Sequence, residues 1–259
     1  MASIQHRLSH GFNMSANYTF SKVLDTADAY SSAVDPFLNP RSRNYGPAGY
    51  DRKHVFSANF FWNLPKPGKA LNLKALGFVT DDWSISGVVR MMTGGPTTPS
   101  YSLVSGLSSP TGSPDDGARV QVVNPDAPLG PYTDSNGVVQ QTTRFGPPPQ
   151  PQVAQVNSVT VPWATTSTQP QLGNLGRNTM YGPGTNNWDL SMYKNLRFTE
   201  RMTGQLRLES YNTFNHTQWS GYNTSLQFDS TGKQVNAAFD TPNGARPARR
   251  VQIAVRLTF

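Results

Sequence analysis

The last nine residues, Val251-Gln252-Ile253-Ala254-Val255-Arg256-Leu257-Thr258-Phe259, alternate between an apolar and a second set without a break and stop on a phenylalanine. In an extended chain, side chains at i and i+2 share a face. Val251, Ile253, Val255, Leu257 and Phe259 therefore form one wall, and Gln252, Ala254, Arg256 and Thr258 the other. Such a strand needs an apolar medium on one side and water on the other. Hydrocarbon against a wet lumen meets that need, and so does the edge of a soluble sandwich.

The same two-residue period recurs upstream and decides between them. Ile4, His6 and Leu8 alternate with Gln5, Arg7 and Ser9, and Ser9-His10-Gly11 makes a tight turn into Phe12, Met14, Ala16, Tyr18 and Phe20. Phe56, Ala58, Phe60, Trp62 and Leu64 follow, until Pro65-Lys66-Pro67-Gly68 ends that strand because proline has no ladder donor. Trp83, Ile85, Gly87, Val89 and Met91 resume the period as far as Gly94-Gly95-Pro96. Trp188, Leu190 and Met192 repeat it, and a short return at 198–201 leads into residues 205–209. Counting the terminal strand, about seven strands are expected. Their connections are short, long, moderate, very long, short and long, with long loops at about 22–53, 94–186 and 215–247. Residues 94–186 are rich in Pro, Gly, Ser, Thr and Gln and read as one loop.

Alternating short and long connections put every short turn on one rim, the asymmetry of an antiparallel transmembrane β-barrel. Tyr18, Phe20, Trp62, Trp83, Trp188 and Phe259 fall near strand ends, where interfacial aromatic girdles lie. The expected fold is therefore all-β: an antiparallel barrel segment with long extracellular loops. Seven strands are fewer than the roughly eight of the smallest membrane barrels, so the segment is expected to be incomplete. A mean hydropathy of −0.51 is no obstacle, since only alternate residues of a barrel strand are apolar. Met1-Ala2-Ser3 runs straight into strand-like sequence without the pattern of a secretory signal, so the chain is expected to be either soluble or the tail of a longer polypeptide.

The strand phase turns Arg90, Arg207 and Glu209 toward the lumen, where they can meet solute or make strand-to-strand charge pairs on the inner wall. In the loops, Tyr45, Tyr50, Tyr101, Tyr132, Trp163 and Tyr181 are candidates for an aromatic ligand surface or for loop packing. Arg246, Arg249 and Arg250 form either a solvated strand end or a contact for anionic lipopolysaccharide. A net charge of +7 does not point to nucleic acid, because the basic residues are scattered. His6, His10, His54 and His216 lack metal-ligand spacing, and Asp81-Asp82 and Asp115-Asp116 lack the pattern of a calcium loop. They are expected as surface or interfacial histidines and solvated carboxylates. With no cysteine and no catalytic fingerprint, neither an enzyme nor a cofactor is expected.

Three stretches carry a family resemblance. Residues 44–54 read Asn-Tyr-Gly-Pro-Ala-Gly-Tyr-Asp-Arg-Lys-His and lead into a strand closing on Leu64-Pro65. Gly176-Arg177-Asn178 is followed by Gly182-Pro183-Gly184 and by residues 187–191, Asn-Trp-Asp-Leu-Ser. Residues 209–216 read Glu-Ser-Tyr-Asn-Thr-Phe-Asn-His. With the terminal phenylalanine, these resemble the C-terminal part of TonB-dependent outer-membrane receptors of the Oar-like kind, over most of the chain, 1–259. The resemblance implies localisation in the outer membrane, contact with its lipid and lipopolysaccharide, and recognition of residues 251–259 by the barrel-assembly machinery. It also implies coupling to TonB through an N-terminal part not contained in this sequence, and import of a bulky nutrient such as a glycan, peptide or metal chelate. The alternative expectation is an adhesion or structural surface protein whose barrel anchors large loops. A soluble lectin-like sandwich stands third, since it should turn every 8 to 12 residues or so.

Overall fold

The computed structural model describes residues 1–26, 44–104, 119–148 and 173–259, with short backbone segments between 150 and 165. Seven strands form one sheet: β1 (Ala2–Ser9), β2 (Phe12–Phe20), β3 (His54–Asn63), β4 (Trp83–Met92), β5 (Thr185–Arg197), β6 (Thr203–Tyr211) and β7 (Arg250–Thr258). Each pairs antiparallel with its neighbour in sequence, and the outer edges of β1 and β7 are left open. The expected all-β meander is thus the observed one. Between β1 and β2 both His10 and Gly11 have positive φ, 49° and 80°, as a two-residue hairpin turn of this hand requires.

The pairing register carries the alternation across all the strands. On one wall, Ala16 faces Ala58, Ala58 faces Val89 and Val89 faces Trp188, while Met192 faces Leu208 and Leu208 faces Ile253. On the other, Asn17 faces Ser57, Ser57 faces Arg90 and Arg90 faces Asn187; Ser191 faces Glu209 and Glu209 faces Gln252. Each cross-strand row keeps its character because neighbours in register point to the same side.

The apolar wall is not covered by protein. Val251, Ile253 and Val255 are 59%, 70% and 69% exposed, and Phe259, one residue beyond β7, is 97% exposed. The hydrophobic core lies elsewhere: Val120, Phe145, Leu175, Met180, Leu226, Phe228 and Phe239 pack together in the long-loop layer, with Phe145 and Phe239 edge to face. That reverses a soluble sandwich, whose sheets bury their apolar faces against each other.

The long connections hold more order than their composition implies. Short strands within them include Ser100–Leu103 with Ser225–Phe228, and Trp219–Tyr222 with Pro242–Ala245. Reading 94–186 as one structureless loop is corrected by these pairings. The moderate connection between β3 and β4 also holds two short helices, α1 (Pro67–Ala70) and α2 (Lys74–Thr80).

Candidate luminal site beneath the extracellular loops

The polar wall and the loops above it line an open cavity of about 990 Å³. β4 contributes Arg90 and Val88, β5 contributes Asn187 and Asp189, and the start of β7 contributes Arg250 and Gln252. Two loop residues complete its lining. Gln218, almost fully buried, accepts from the Asn186 N–H at 3.1 Å and donates to the Asn187 carboxamide at 3.3 Å, tying the last long loop to β5. Its carbonyl accepts from the Arg246 N–H at 2.7 Å, which brings the Arg246 side chain to the cavity.

Asp189 serves structure. One of its carboxylate oxygens accepts from the Asn187 carboxamide and from the Asn212 N–H, both at 2.9 Å. Arg90, Arg246 and Arg250 have no carboxylate partner among the described residues. The cavity thus presents three guanidiniums against one carboxylate whose lone pairs are partly occupied. On the inner wall of a barrel that excess attracts carboxylate and phosphate groups, which guanidinium forks bind in pairs of hydrogen bonds.

Arg90 lies where the strand phase put it. Arg207 and Glu209 share its wall but are engaged with each other at 3.6 Å. Arg207 also donates to Gln205 at 3.2 Å and lies 5.1 Å from the Tyr193 ring centre. They reinforce the wall as a pair within one strand rather than as a cross-strand pair.

The loop aromatics do not converge. Tyr101 packs against the loop core, 6.3 Å from the Phe228 ring, and Tyr132 is half-buried in a small hairpin with Val139–Gln140. Tyr181 is exposed at the rim beside Phe56 and Met91 of the apolar wall, and Trp163 lies outside the described residues. Arg250 shares the polar face with Gln252 at the start of β7, whereas Arg246 is placed by the returning loop, which sequence spacing does not reveal. Asp81 is also not the solvated carboxylate expected: it is buried, and it accepts from the Gly68 and Lys69 N–H groups, both at 2.8 Å. Asp115 and Asp116 lie outside the described residues.

The three recognisable stretches tie the loop rim together. Arg177 is buried, pairs with Asp25 and donates to its carbonyl, and Arg119 donates to Asn44 at 2.7 Å. The Asn178 carboxamide donates to the Pro47 carbonyl at 2.7 Å, while Asn212, on Asp189, donates weakly to the Pro247 carbonyl at 3.3 Å. Within the loops, Asp134 is held below the usual carboxylate range by the Gln140 amide and the Val138 N–H. Burial pushes Asp229 up, but the Thr231 hydroxyl and the Lys233 and Thr231 N–H groups bring it below that range.

A meander with one bare apolar wall, one polar wall, tight turns on one rim and large structured loops on the other defines a transmembrane β-barrel domain. By that asymmetry the loop rim is extracellular and the turn rim, with Phe259, periplasmic. The chain belongs to the outer membrane beta barrel domain family, whose model matches residues 1–252. It is a protein of the outer membrane, and its seven-stranded sheet is an open part of a barrel wall. No curated protein and no solved structure matches it.

Proposed function

We propose that this domain is part of a TonB-dependent outer-membrane transporter that binds and imports a bulky nutrient, such as a glycan, peptide or metal chelate. The observation that carries the reading is a polar cavity lined by Arg90, Arg246 and Arg250, directly beneath loops tied down by the resembling stretches. The three guanidiniums favour carboxylate-bearing nutrients over neutral ones. Fixed loops over a luminal cavity provide a preorganised binding mouth. On this reading, TonB acts through regions outside residues 1–259, no covalent chemistry is performed, and the strand ending in Phe259 is handed to the barrel-assembly machinery.

The test is accumulation of labelled oligopeptides, acidic oligosaccharides and ferric chelates by cells carrying or lacking the native protein, each with and without functional TonB. Uptake that needs both supports the reading. Uptake of none of these substrates that depends on both would remove it.

The packed loop core favours a second reading, an adhesion surface, because a stiff extracellular layer is what surface recognition by a barrel-anchored protein needs. Loss of cell attachment on replacing Tyr222 and Phe228, with uptake unaltered, would move the assignment there.

A further inference from the structure

The connection between β3 and β4 lies on the periplasmic rim, where a short polar turn would suffice to join two strands. Instead it folds α1 against α2 so closely that the Gly68 and Gly77 backbones touch, and Asp81 caps the two adjacent N–H groups of α1. This helical hairpin is fastened to a defined side of the sheet. Lys194 stands on the apolar wall, in register with Trp83 and Leu206, and its ammonium donates to the carbonyls of Val79 and Asp81 at the end of α2. The Trp83 indole donates to the same Val79 carbonyl at 2.8 Å, and the ammonium lies 5.5 Å from the indole ring centre.

The hairpin carries an unusual surface for a water-facing turn. Leu71, Leu73, Phe78 and Val79 are 62%, 53%, 57% and 64% exposed, and Lys69 is exposed beside them. Leu76 adds to the exposed apolar surface, while Lys66, Asn72, Thr80, Asp81 and Asp82 supply polar side chains, so the hairpin is amphipathic in composition. Its attachment holds the end of α2, from which Phe78 and Val79 extend, to the lipid-facing wall at the Trp83 girdle position. Side chains of this kind sink into the headgroup and upper acyl region, while lysines stay at the phosphates.

We propose that residues 66–82 form an interfacial anchor seated in the inner, phospholipid leaflet of the outer membrane. Leu71, Leu73, Phe78 and Val79 lie among the upper acyl chains and Lys69 at the headgroup phosphates. Lys194 is the positioning residue: it holds the C-terminal end of α2 against the lipid side of the wall and fills the carbonyls that a membrane interface would otherwise leave poorly hydrated. The anchor fixes the height of the periplasmic rim in the bilayer. The proposal requires a lipid-facing wall and does not depend on transport.

Because this chain has no cysteine, Val79→Cys, Leu71→Cys and, as a reference in the other periplasmic turn, Thr199→Cys each give one labelling position in it. The native protein carrying each change, labelled with an environment-sensitive fluorophore, is reconstituted in phosphatidylethanolamine and phosphatidylglycerol vesicles, with heat-modifiable migration certifying the fold. The expected result is blue-shifted emission at 79 and 71, quenched by shallow nitroxide lipids about twofold or more beyond the quenching at 199. Water-like emission at 79 and 71, quenched by iodide as readily as at 199, overturns the proposal. Blue emission that no nitroxide lipid quenches also overturns it, since a protein partner would then cover the hairpin.

Discussion

Gly68→Ala should open the periplasmic hairpin, whereas Gly77→Ala should not. A Cβ at Gly68 would stand 2.2 Å from the Gly77 Cα and 2.3 Å from its nitrogen. Carbon atoms in contact sit about 3.5–4 Å apart, so α1 and α2 must separate by more than about 1 Å. No rotamer change can relieve this, because the opposing atoms are backbone. Overpacking of this kind costs about 1–3 kcal/mol, toward the upper end where backbone must move, and the helix preference of alanine returns up to about 1 kcal/mol. A net local cost of about 2 kcal/mol raises the open population of the hairpin roughly 30-fold. At Gly77 the added Cβ meets the Asp81 carboxylate at 3.1 Å and the Gly68 backbone at an ordinary contact distance of 3.8 Å, so a shift of a few tenths of an ångström by the carboxylate suffices. There the propensity gain of up to about 1 kcal/mol makes Gly77→Ala neutral or protective. Trypsin admitted to the periplasmic side should cut at Lys69 and Lys74 faster in Gly68→Ala alone, and native-state hydrogen exchange over 66–82 should follow the same order. Equal rates in all three proteins, or a more open Gly77→Ala, would refute the reasoning.

Three further outcomes are expected. The hydrogen bonds to Asp134 stabilise its ionised form, so their contribution is complete above the carboxylate's unfolded pKa of about 4 and is lost as pH falls through the lower folded value. Exchange at Asn136 and Val138, corrected for intrinsic rate, should therefore rise selectively below about pH 4; a flat profile removes the effect. Replacing Arg90 or Arg250 by Glu cancels the cavity's surplus positive charge and should weaken binding of carboxylate-bearing solutes by about tenfold or more, while leaving neutral ones within about twofold, as titration at low salt would reveal. Phe259→Ser should reduce the heat-modifiable outer-membrane form several-fold in a quantitative blot without altering synthesis, and an unchanged yield would separate the terminal residue from assembly.

The barrel wall was legible in the sequence because its two solvents differ so sharply that nearly every strand residue declares its side. Lys194 broke that rule. It sits on the apolar wall because the end of α2 receives its ammonium, a partner more than a hundred residues away. The hairpin itself was hidden for a related reason. Neither helix has a side-chain cap at its own N-terminus, and the carboxylate that satisfies α1 comes from Asp81. β5 began earlier than expected, at Thr185, since Asn186 breaks the apolar phase and is satisfied by the Trp188 indole and by Gln218. The loop layer has no period to read: its strands are two to four residues long, and its core collects Val120, Phe145, Leu226 and Phe239 from distant segments. Of the cavity, strand phase could supply Arg90 and Arg250, but Arg246 became visible only once Gln218 had pinned the returning loop.

The strand count has a directional consequence for how such a wall can close. In a meander, alternate strands reverse, so β1 and β7 point the same way. Joining their open edges directly would demand parallel pairing, a different hydrogen-bond slant from every other seam in the sheet. An all-antiparallel ring that contains this wall must interpose an odd number of additional strands between β7 and β1. The parity of whatever completes the cylinder is therefore set by the present seven, whichever polypeptide supplies it.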